Sequence, residues 1–213
     1  MILELAPDDL LATTRSVRKR LDYDRPVPRD VVESCAQLAF QAPNGSNQQN
    51  WGWVCVDDPA LKVAMADLYR RGMRDHIDRD RTGESPYNPG GDARAQERMS
   101  ESVMFLHDRM QDAPVLLVPT IEARLDGAST FTQASRWGSI LPGVWNLMLA
   151  LRSRGLGSAW TTVSLYRERE MAELLGIPYD HNTQAGLFPI GYTIGTQFKR
   201  ADRGRSHLRW NGW

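Results

Sequence analysis

The sequence offers little that could hold a fold together by covalent or metal cross-links. Only two of its 213 residues are cysteines, Cys35 and Cys55. Two thiols cannot form the disulfide network of a small secreted domain, and neither lies at metal-ligand spacing from a histidine. We therefore expect a protein of the reducing cytoplasm, without a metal site, whose fold depends on a buried core.

An excess of charge of one sign is also missing, because 26 Lys and Arg residues balance 26 Asp and Glu residues. A chain without net charge has no bulk attraction for nucleic acid or anionic lipid. The longest apolar-rich run, residues 139–151, is shorter than the about 20 residues of a membrane-spanning helix. The first 20 residues lack the regions of a signal peptide. These absences favour a soluble protein with neither a nucleic-acid nor a membrane partner.

Side-chain catalytic motifs are absent as well. The sequence contains no Ser-His-Asp order, no paired-carboxylate signature and no HExxH run. The histidines lie outside any such motif: His76, His107, His181 and His207. No catalytic side chain is therefore assigned.

The remaining composition is that of a globular protein, with 41% apolar and 24% charged residues. Apolar periodicity predicts helices at about residues 8–20, 29–41, 57–75, 95–110, 130–154 and 167–178. It predicts strands at about residues 51–56, 113–122, 154–163 and 185–195, and a polar loop at 79–91. Helices interleaved with strands indicate one α+β or α/β domain with helices covering a mixed sheet.

The stretch "TRSVRKR" contains Arg15, Ser16 and Arg18. If the first helix continues through it, Arg15 and Arg18 share a face. Two guanidinium groups and a hydroxyl can then bind a phosphate. The alternative is a solvated basic helix end.

The stretch "QAPNGSNQQNW", residues 41–51, is longer and richer in amides than a simple turn requires. Amide side chains carry both donors and acceptors, so this loop can recognise a heterocycle that presents C=O and N–H groups. A loop that caps itself with Asn and Ser side chains is the alternative.

Two further segments are weaker signals. In "GLGSAWTT", residues 155–162, small residues would let the backbone approach a flat ligand. The alternative is a tight turn, since the third glycine of a dinucleotide fingerprint is missing.

The basic tail is either a solvated surface or a second set of phosphate donors. Its cations are Lys199, Arg200, Arg203 and Arg205.

Taken in order, the segments resemble the FMN-dependent nitroreductase family from about residue 13 to residue 205. The matching pieces are "RSVRKRLDYDRPVP", "APNGSNQQNWGWVCVDDP", "LALRSRGLGSAWTT", "LLGIPYD" and "PIGYTIG". The resemblance implies one domain over residues 1–213, an α+β three-layer sandwich with a mixed, mainly antiparallel sheet. It also implies an intertwined homodimer with FMN at the interface.

The resemblance further implies which residues bind FMN. Arg15, Ser16, Arg18 and either Arg203 or Arg205 would hold the phosphate. The ribityl chain and pyrimidine edge would contact Pro43, Asn44, Gly45, Ser46, Asn47 and Gln49. The residues nearest the isoalloxazine ring would be Trp160, Thr161 and Thr162. Asn50 occupies the place where the family usually has proline.

The implied activity is FMN-dependent reduction of a nitroaromatic, quinone or similar flat acceptor. NADH or NADPH would donate a hydride, and donor and acceptor would use one open site in turn, giving ping-pong kinetics. A relative with dehalogenase or flavin-fragmenting activity is one alternative. A non-enzymatic nucleic-acid adaptor that uses the basic helix and tail is another.

Overall fold

Six helices and six strands form the main regular structure in residues 2–82, 93–201 and 208–212, which the computed structural model describes. The helices are α1 Pro7–Thr13, α2 Arg29–Ala39, α3 Pro59–Arg81, α4 Ala93–Arg109, α5 Thr130–Ser153 and α6 Glu168–Leu175. The strands are β1 Leu21–Asp22, β2 Trp51–Val56, β3 Val115–Ile121, β4 Leu156–Ser158, β5 Thr183–Gln184 and β6 Phe188–Thr193.

All six strands belong to one sheet. Its main path runs β1-β6-β3-β2, while β4 pairs with β6 and β5 pairs with β3. Each of these pairings is antiparallel. An isolated bridge between Ser16 and Ser158 is parallel. The predicted α+β fold with a mixed, mainly antiparallel sheet is confirmed.

The sheet lies between two layers of helices, because β3 is buried on both faces. Leu117 and Ile121 face a core that includes α2 and α5 side chains. Leu116 and Val118 face a second core that includes side chains of α3, α4 and α6. Burial on both faces explains why this strand appears in the sequence as a nearly continuous apolar run.

Helix α1 ends at Thr13, not at Arg20 as predicted, and the chain becomes extended at Thr14. Arg15 donates hydrogen bonds to the carbonyls of Ala12 and Thr14, at 2.7 Å each, and so satisfies acceptors left at the helix end. The Val17 N–H donates to the Ser158 carbonyl at 2.8 Å. Tertiary pairing with β4 thus replaces further helix, and the prediction that Arg15 and Arg18 share a helical face is wrong.

Other boundaries also differ from the predictions. Helix α3 continues to Arg81 and therefore takes up the start of the predicted loop, whose residues 83–91 lie outside the described part of the chain. The strand predicted at 154–163 has only three residues, and β1 and β5 were not predicted. Helix α5 contains Pro142 without interruption. Within the described residues, no helix has the length and apolar character required to cross a lipid bilayer.

Candidate functional site

A cavity of about 850 Å³ opens between α3, α4 and the segment 160–166. This volume lies within the range of small-molecule sites, roughly 300–1,000 Å³. Its lining is mainly apolar and includes Tyr69 and Met73 of α3 and Val103 of α4. Three of the predicted cofactor-binding residues, Trp160, Thr161 and Thr162, line it together with Arg18.

The segment 160–162 is held firmly at the cavity wall. Thr161 donates its backbone N–H and its hydroxyl to the Leu187 carbonyl, at 3.1 and 2.6 Å, and Leu187 N–H donates back at 2.9 Å. Trp160 donates its indole N–H to the Ala185 carbonyl at 2.7 Å. A Cβ on Gly186 would lie 2.6 Å from the Thr161 carbonyl oxygen, so only glycine permits this approach. The result is a rigid polar surface beside the cavity.

Arg18 brings an unsatisfied cation to the same cavity. Its Nε is buried and has no hydrogen-bond partner in the described residues. Burial lowers the pKa of the Arg18 guanidinium, and the nearby Tyr69 and Tyr23 partly oppose that shift. Arginine nevertheless keeps its charge in proteins. A buried donor without an acceptor is rare in a native fold and indicates a ligand or water that this side chain is built to bind.

The "GLGS" stretch brings the segment 15–18 against the sheet. Gly155 has a φ of 75°, as in the tight turn that the sequence analysis gave as the alternative for this motif. Gly157 has another role, because a Cβ there would lie 2.9 Å from the Cβ of Val17. Ser158, next along β4, is buried and its hydroxyl has no partner in the described residues. The motif therefore positions Arg18 through its backbone neighbours.

Arg15 and Ser16 lie beside this arrangement, but outside the cavity lining. Arg15 also donates to the Lys199 carbonyl at 2.9 Å, which ties the tail to the segment 15–18. Ser16 is exposed. The two predicted tail residues, Arg203 and Arg205, lie outside the described residues.

The amide-rich loop has an unusual backbone. Ser46, Asn47 and Gln49 have φ values of 54°, 51° and 51°, in the left-handed region that non-glycine residues seldom adopt. Asn44 accepts a hydrogen bond from the Gln49 N–H at 3.0 Å, so part of the loop does cap itself. Several residues of the loop are nevertheless exposed: Gly45, Ser46, Asn47, Gln48 and Gln49. Strained backbone of this kind is concentrated at ligand sites.

Within one chain, the loop and the stretch just before Arg15 contact α5 at well-separated points. The Gly45 N–H donates to the Ser139 hydroxyl at 2.9 Å. Near the segment 15–18, Thr13 instead contacts Arg152, with 3.5 Å between its hydroxyl and Nη2. The two α5 residues are 13 positions apart, or about 20 Å along the helix. The fold therefore brings Arg18 to residues 160–162 but keeps Pro43, Asn44 and the rest of the loop apart from them.

The sequence analysis missed several residues around this site: Tyr69, Met73, Ser158 and Arg152. Tyr69 and Met73 are four residues apart on α3, a spacing that is typical of a helix core face. No signal in a single sequence separates a core residue from one that lines a cavity.

Comparisons with known proteins agree with this geometry. The model of the nitroreductase family matches residues 11–192. The iodotyrosine deiodinase of Thermotoga neapolitana is 26% identical over 183 residues, which cover 85% of this chain and 86% of that protein.

Two solved structures are similar over nearly their whole length. A structure of oxidized iodotyrosine deiodinase bound to FMN and 3-iodo-L-tyrosine has a TM-score of 0.71 at 25% identity, covering 96% of this chain and 98% of that one. The FMN- and NADPH-dependent nitroreductase from sphigopyxis sp. strain HMH has a TM-score of 0.66 at 19% identity, with coverage of 98% and 100%. With its fold, its cavity and a family match over most of its length, the chain belongs to the nitroreductase family.

Proposed function

We propose that the protein is an FMN-dependent oxidoreductase that takes electrons from NADH or NADPH and delivers them to a flat aromatic acceptor such as a nitroarene or a quinone. The observation that carries this proposal is the cavity itself, which is lined by both the rigid segment 160–162 and the half-buried Arg18, whose buried Nε has no partner in the described residues. A planar, electron-accepting cofactor next to an apolar chamber needs these features: a flat wall, a fixed cation and room for a second planar molecule.

The residues present fit FMN. The Arg18 Nε is a buried donor that lacks an acceptor in the described residues, and FMN is rich in acceptor oxygens. Since Arg18 lines the same cavity as residues 160–162, we assign it to the ring end of the cofactor and not to the phosphate. Arg15, Ser16 and one of Arg203 and Arg205 remain our assignment for the phosphate.

When bound, FMN supplies the two-electron transfer between donor and acceptor. The chain contributes the surroundings of that transfer. The Arg18 cation stabilises negative charge that develops beside it, an effect that is stronger where burial lowers the local dielectric constant. The apolar side chains of α3 and α4, among them Met73 and Val103, offer an apolar surface against which a flat acceptor can pack. Each two-electron reduction by NADH or NADPH also consumes one proton, which water entering the cavity supplies, so no general acid or base is assigned to the protein.

We further propose that the working unit is a homodimer and that the partner's amide-rich loop completes the site. Phe131 and Trp145 are 83% and 43% exposed on α5, and Leu38 on α2 is 48% exposed. Phe131 and Trp145 are 14 residues apart, which is about four turns, and so lie on one side of the helix. A symmetric contact through this face would bury the exposed aromatic rings. It would also allow the loop of one copy to approach the segment 15–18 of the other.

A second candidate is reductive dehalogenation of a halogenated aromatic compound. Two observations favour it: the 26% identity to an iodotyrosine deiodinase and the similarity to the deiodinase structure that contains 3-iodo-L-tyrosine. The apolar chamber would accept either type of acceptor.

The test begins with the absorption spectrum and flavin content of the purified protein. We expect a yellow protein that holds FMN and oxidises NADH or NADPH. A panel of one nitroarene, one quinone and 3-iodo-L-tyrosine, each with each nicotinamide, then separates the two candidates by the product formed. A colourless protein that ignores added FMN would overturn both, and a shifted DNA or RNA band would then support an adaptor.

A further inference from the structure

Arg152, in the last turn of α5, is an arginine without adequate partners. It is only 5% exposed. Its Nε and Nη1 are buried and have no hydrogen-bond partner in the described residues. Its one side-chain hydrogen bond within the described residues, from Nη2 to the Thr13 hydroxyl, is long at 3.5 Å. A buried arginine in a native fold is normally paired, because removing a charge from water is costly unless an opposite charge or several acceptors replace the water.

The surroundings of Arg152 are positive rather than negative. The ring of Phe198 lies under two guanidinium groups. The distance from the ring centroid to the guanidinium carbon Cζ is 4.9 Å for Arg152 and 4.2 Å for Arg20. Arg20 donates to backbone carbonyls of residues 194, 195 and 197. Across the three described ranges, no carboxylate forms an ion pair with Arg152. The described chain thus leaves this charge uncompensated.

The position of Arg152 connects it to the proposed phosphate end of the site. Thr13, which it contacts, is two residues before Arg15. Phe198, whose ring it covers, precedes Lys199, whose carbonyl accepts a hydrogen bond from Arg15. Arg152 and Arg15 therefore contact the same two short segments of chain, and Arg152 is the buried member of the pair.

We propose that Arg152 is a buried positioning residue for the phosphate of the cofactor, supplying positive charge beneath the segment that contains Arg15 and Ser16. This rests on the proposed function, which provides the phosphate monoester. A dianion bound at that segment would compensate a cation that is otherwise isolated, and Coulomb attraction is stronger where burial lowers the dielectric constant. The phosphate of FMN is thus stabilised by the buried Arg152 as well as by Arg15 and Ser16.

The alternative is that Arg152 is purely structural and holds Phe198 and the tail in place. The two roles predict opposite effects on the protein without cofactor. Replacing an uncompensated buried cation by methionine leaves stability unchanged or increases it. Removing a structural contact lowers it.

The experiment compares FMN with riboflavin, which has the same ring and ribityl chain but no phosphate. Apoprotein is titrated with each, and flavin fluorescence quenching gives the dissociation constants. For Arg152→Met we expect FMN binding to weaken about tenfold or more, as for loss of a charge-assisted contact, while riboflavin binding changes less than about twofold. Arg152→Lys keeps the charge and should recover part of the FMN affinity. The control is Arg154→Met, since Arg154 donates to Ala150 and Ser153 of its own helix.

The urea midpoint of the apoprotein is measured alongside. An Arg152→Met midpoint equal to or above wild type, together with selective loss of FMN affinity, supports the proposal. Equal weakening of FMN and riboflavin, unchanged FMN binding or a lowered midpoint overturns it. If Arg152→Met does not fold, the structural role is shown and the proposal falls. A wild-type protein that binds neither flavin contradicts the proposed function instead, so the two failures are distinguishable.

Discussion

At the scale of single residues, Arg18 and Arg200 differ sharply although both are cations of the segments that the sequence analysis associated with the cofactor. Arg18 is largely buried with an unsatisfied Nε, whereas Arg200 is exposed and pairs with Asp9 at 3.5 Å. We expect Arg18→Ala to raise the FMN dissociation constant at least about tenfold, because buried hydrogen bonds to charged groups contribute roughly 1.5–3 kcal/mol. Arg200→Ala should change it less than about twofold, since exposed ion pairs contribute little. Fluorescence titration checks both, and equal constants would contradict the assignment.

A second residue-scale prediction concerns pH. Tyr69 is 2% exposed, and burial raises its pKa to about 12, with the Arg18 charge opposing. An unfolded phenol titrates near pH 10. Between about pH 10 and 12 the folded state keeps a proton that the unfolded state has released, so the contribution to stability is complete below pH 10 and is lost as pH rises through 12. Two pKa units correspond to up to about 3 kcal/mol.

Tyr69→Phe cannot titrate at this position. Urea unfolding at about pH 9, 10.5 and 11.5 should therefore show a steeper loss of unfolding free energy in wild type than in the variant. Tyr23, whose pKa burial also raises to about 12, leaves a remaining slope in both proteins. Parallel losses in the two proteins would show that Tyr69 does not contribute in this way.

A candidate site residue could be predicted from the sequence where it belongs to a distinctive motif. It could not be predicted where it belongs to a regular helical pattern. The cluster of Arg15, Ser16 and Arg18 stands out in the sequence. Arg152 does not, because a basic residue in the last turn of a helix is expected from the helix dipole alone. Its burial depends on Phe198, almost fifty residues later, which returns to cover it. Such long-range contacts are not visible in local sequence.

At the scale of elements, the predictions succeeded where the apolar pattern spans the whole element. They failed where pairing with a distant segment of the chain determines where the element begins or ends. Strand β2 at Trp51–Val56 was predicted to the residue, and α5 at Thr130–Ser153 to within one. Helix α1 stops seven residues early because Val17 pairs with Ser158 of β4. The strands β1 and β5 have two residues each and exist only through their pairing with β6 and β3.

The exposed side of α5 yields an element-scale prediction. Gly138 lies midway between Phe131 and Trp145, seven residues from each, and a Cβ there would meet no atom within 4 Å. Within the single chain, the Cβ of Gly138→Arg therefore meets no clash, and the substitution improves helix propensity by up to about 1 kcal/mol. If a second copy packs on this face, the arginine should prevent dimer formation. Light scattering after size exclusion reports the mass. The control is Val63→Arg, at a residue that is 57% exposed on α3; a dimeric Gly138→Arg would place the interface elsewhere.

At the scale of the whole molecule, the decisive feature is the distance between the two halves of the predicted site. The motifs of the sequence identify both halves but not their separation, since order along the chain does not report which contacts are internal. The loop is anchored at Ser139 and the segment 13–18 approaches Arg152, about 20 Å further along α5. In the proposed dimer, a cofactor that touches both halves would therefore take one half from each chain.

Two damaged chains should then repair each other. Arg18→Ala weakens one half of the site, and Ser46→Val damages the other, because a β-branched residue is strained at the φ of 54° observed there. The variants are unfolded and refolded together at an FMN concentration that leaves either one alone largely empty. Random pairing makes half of the dimers mixed, and each mixed dimer has one intact site, so about a quarter of all sites should recover full FMN affinity. If both halves came from one chain, every site would carry one defect and mixing would recover none.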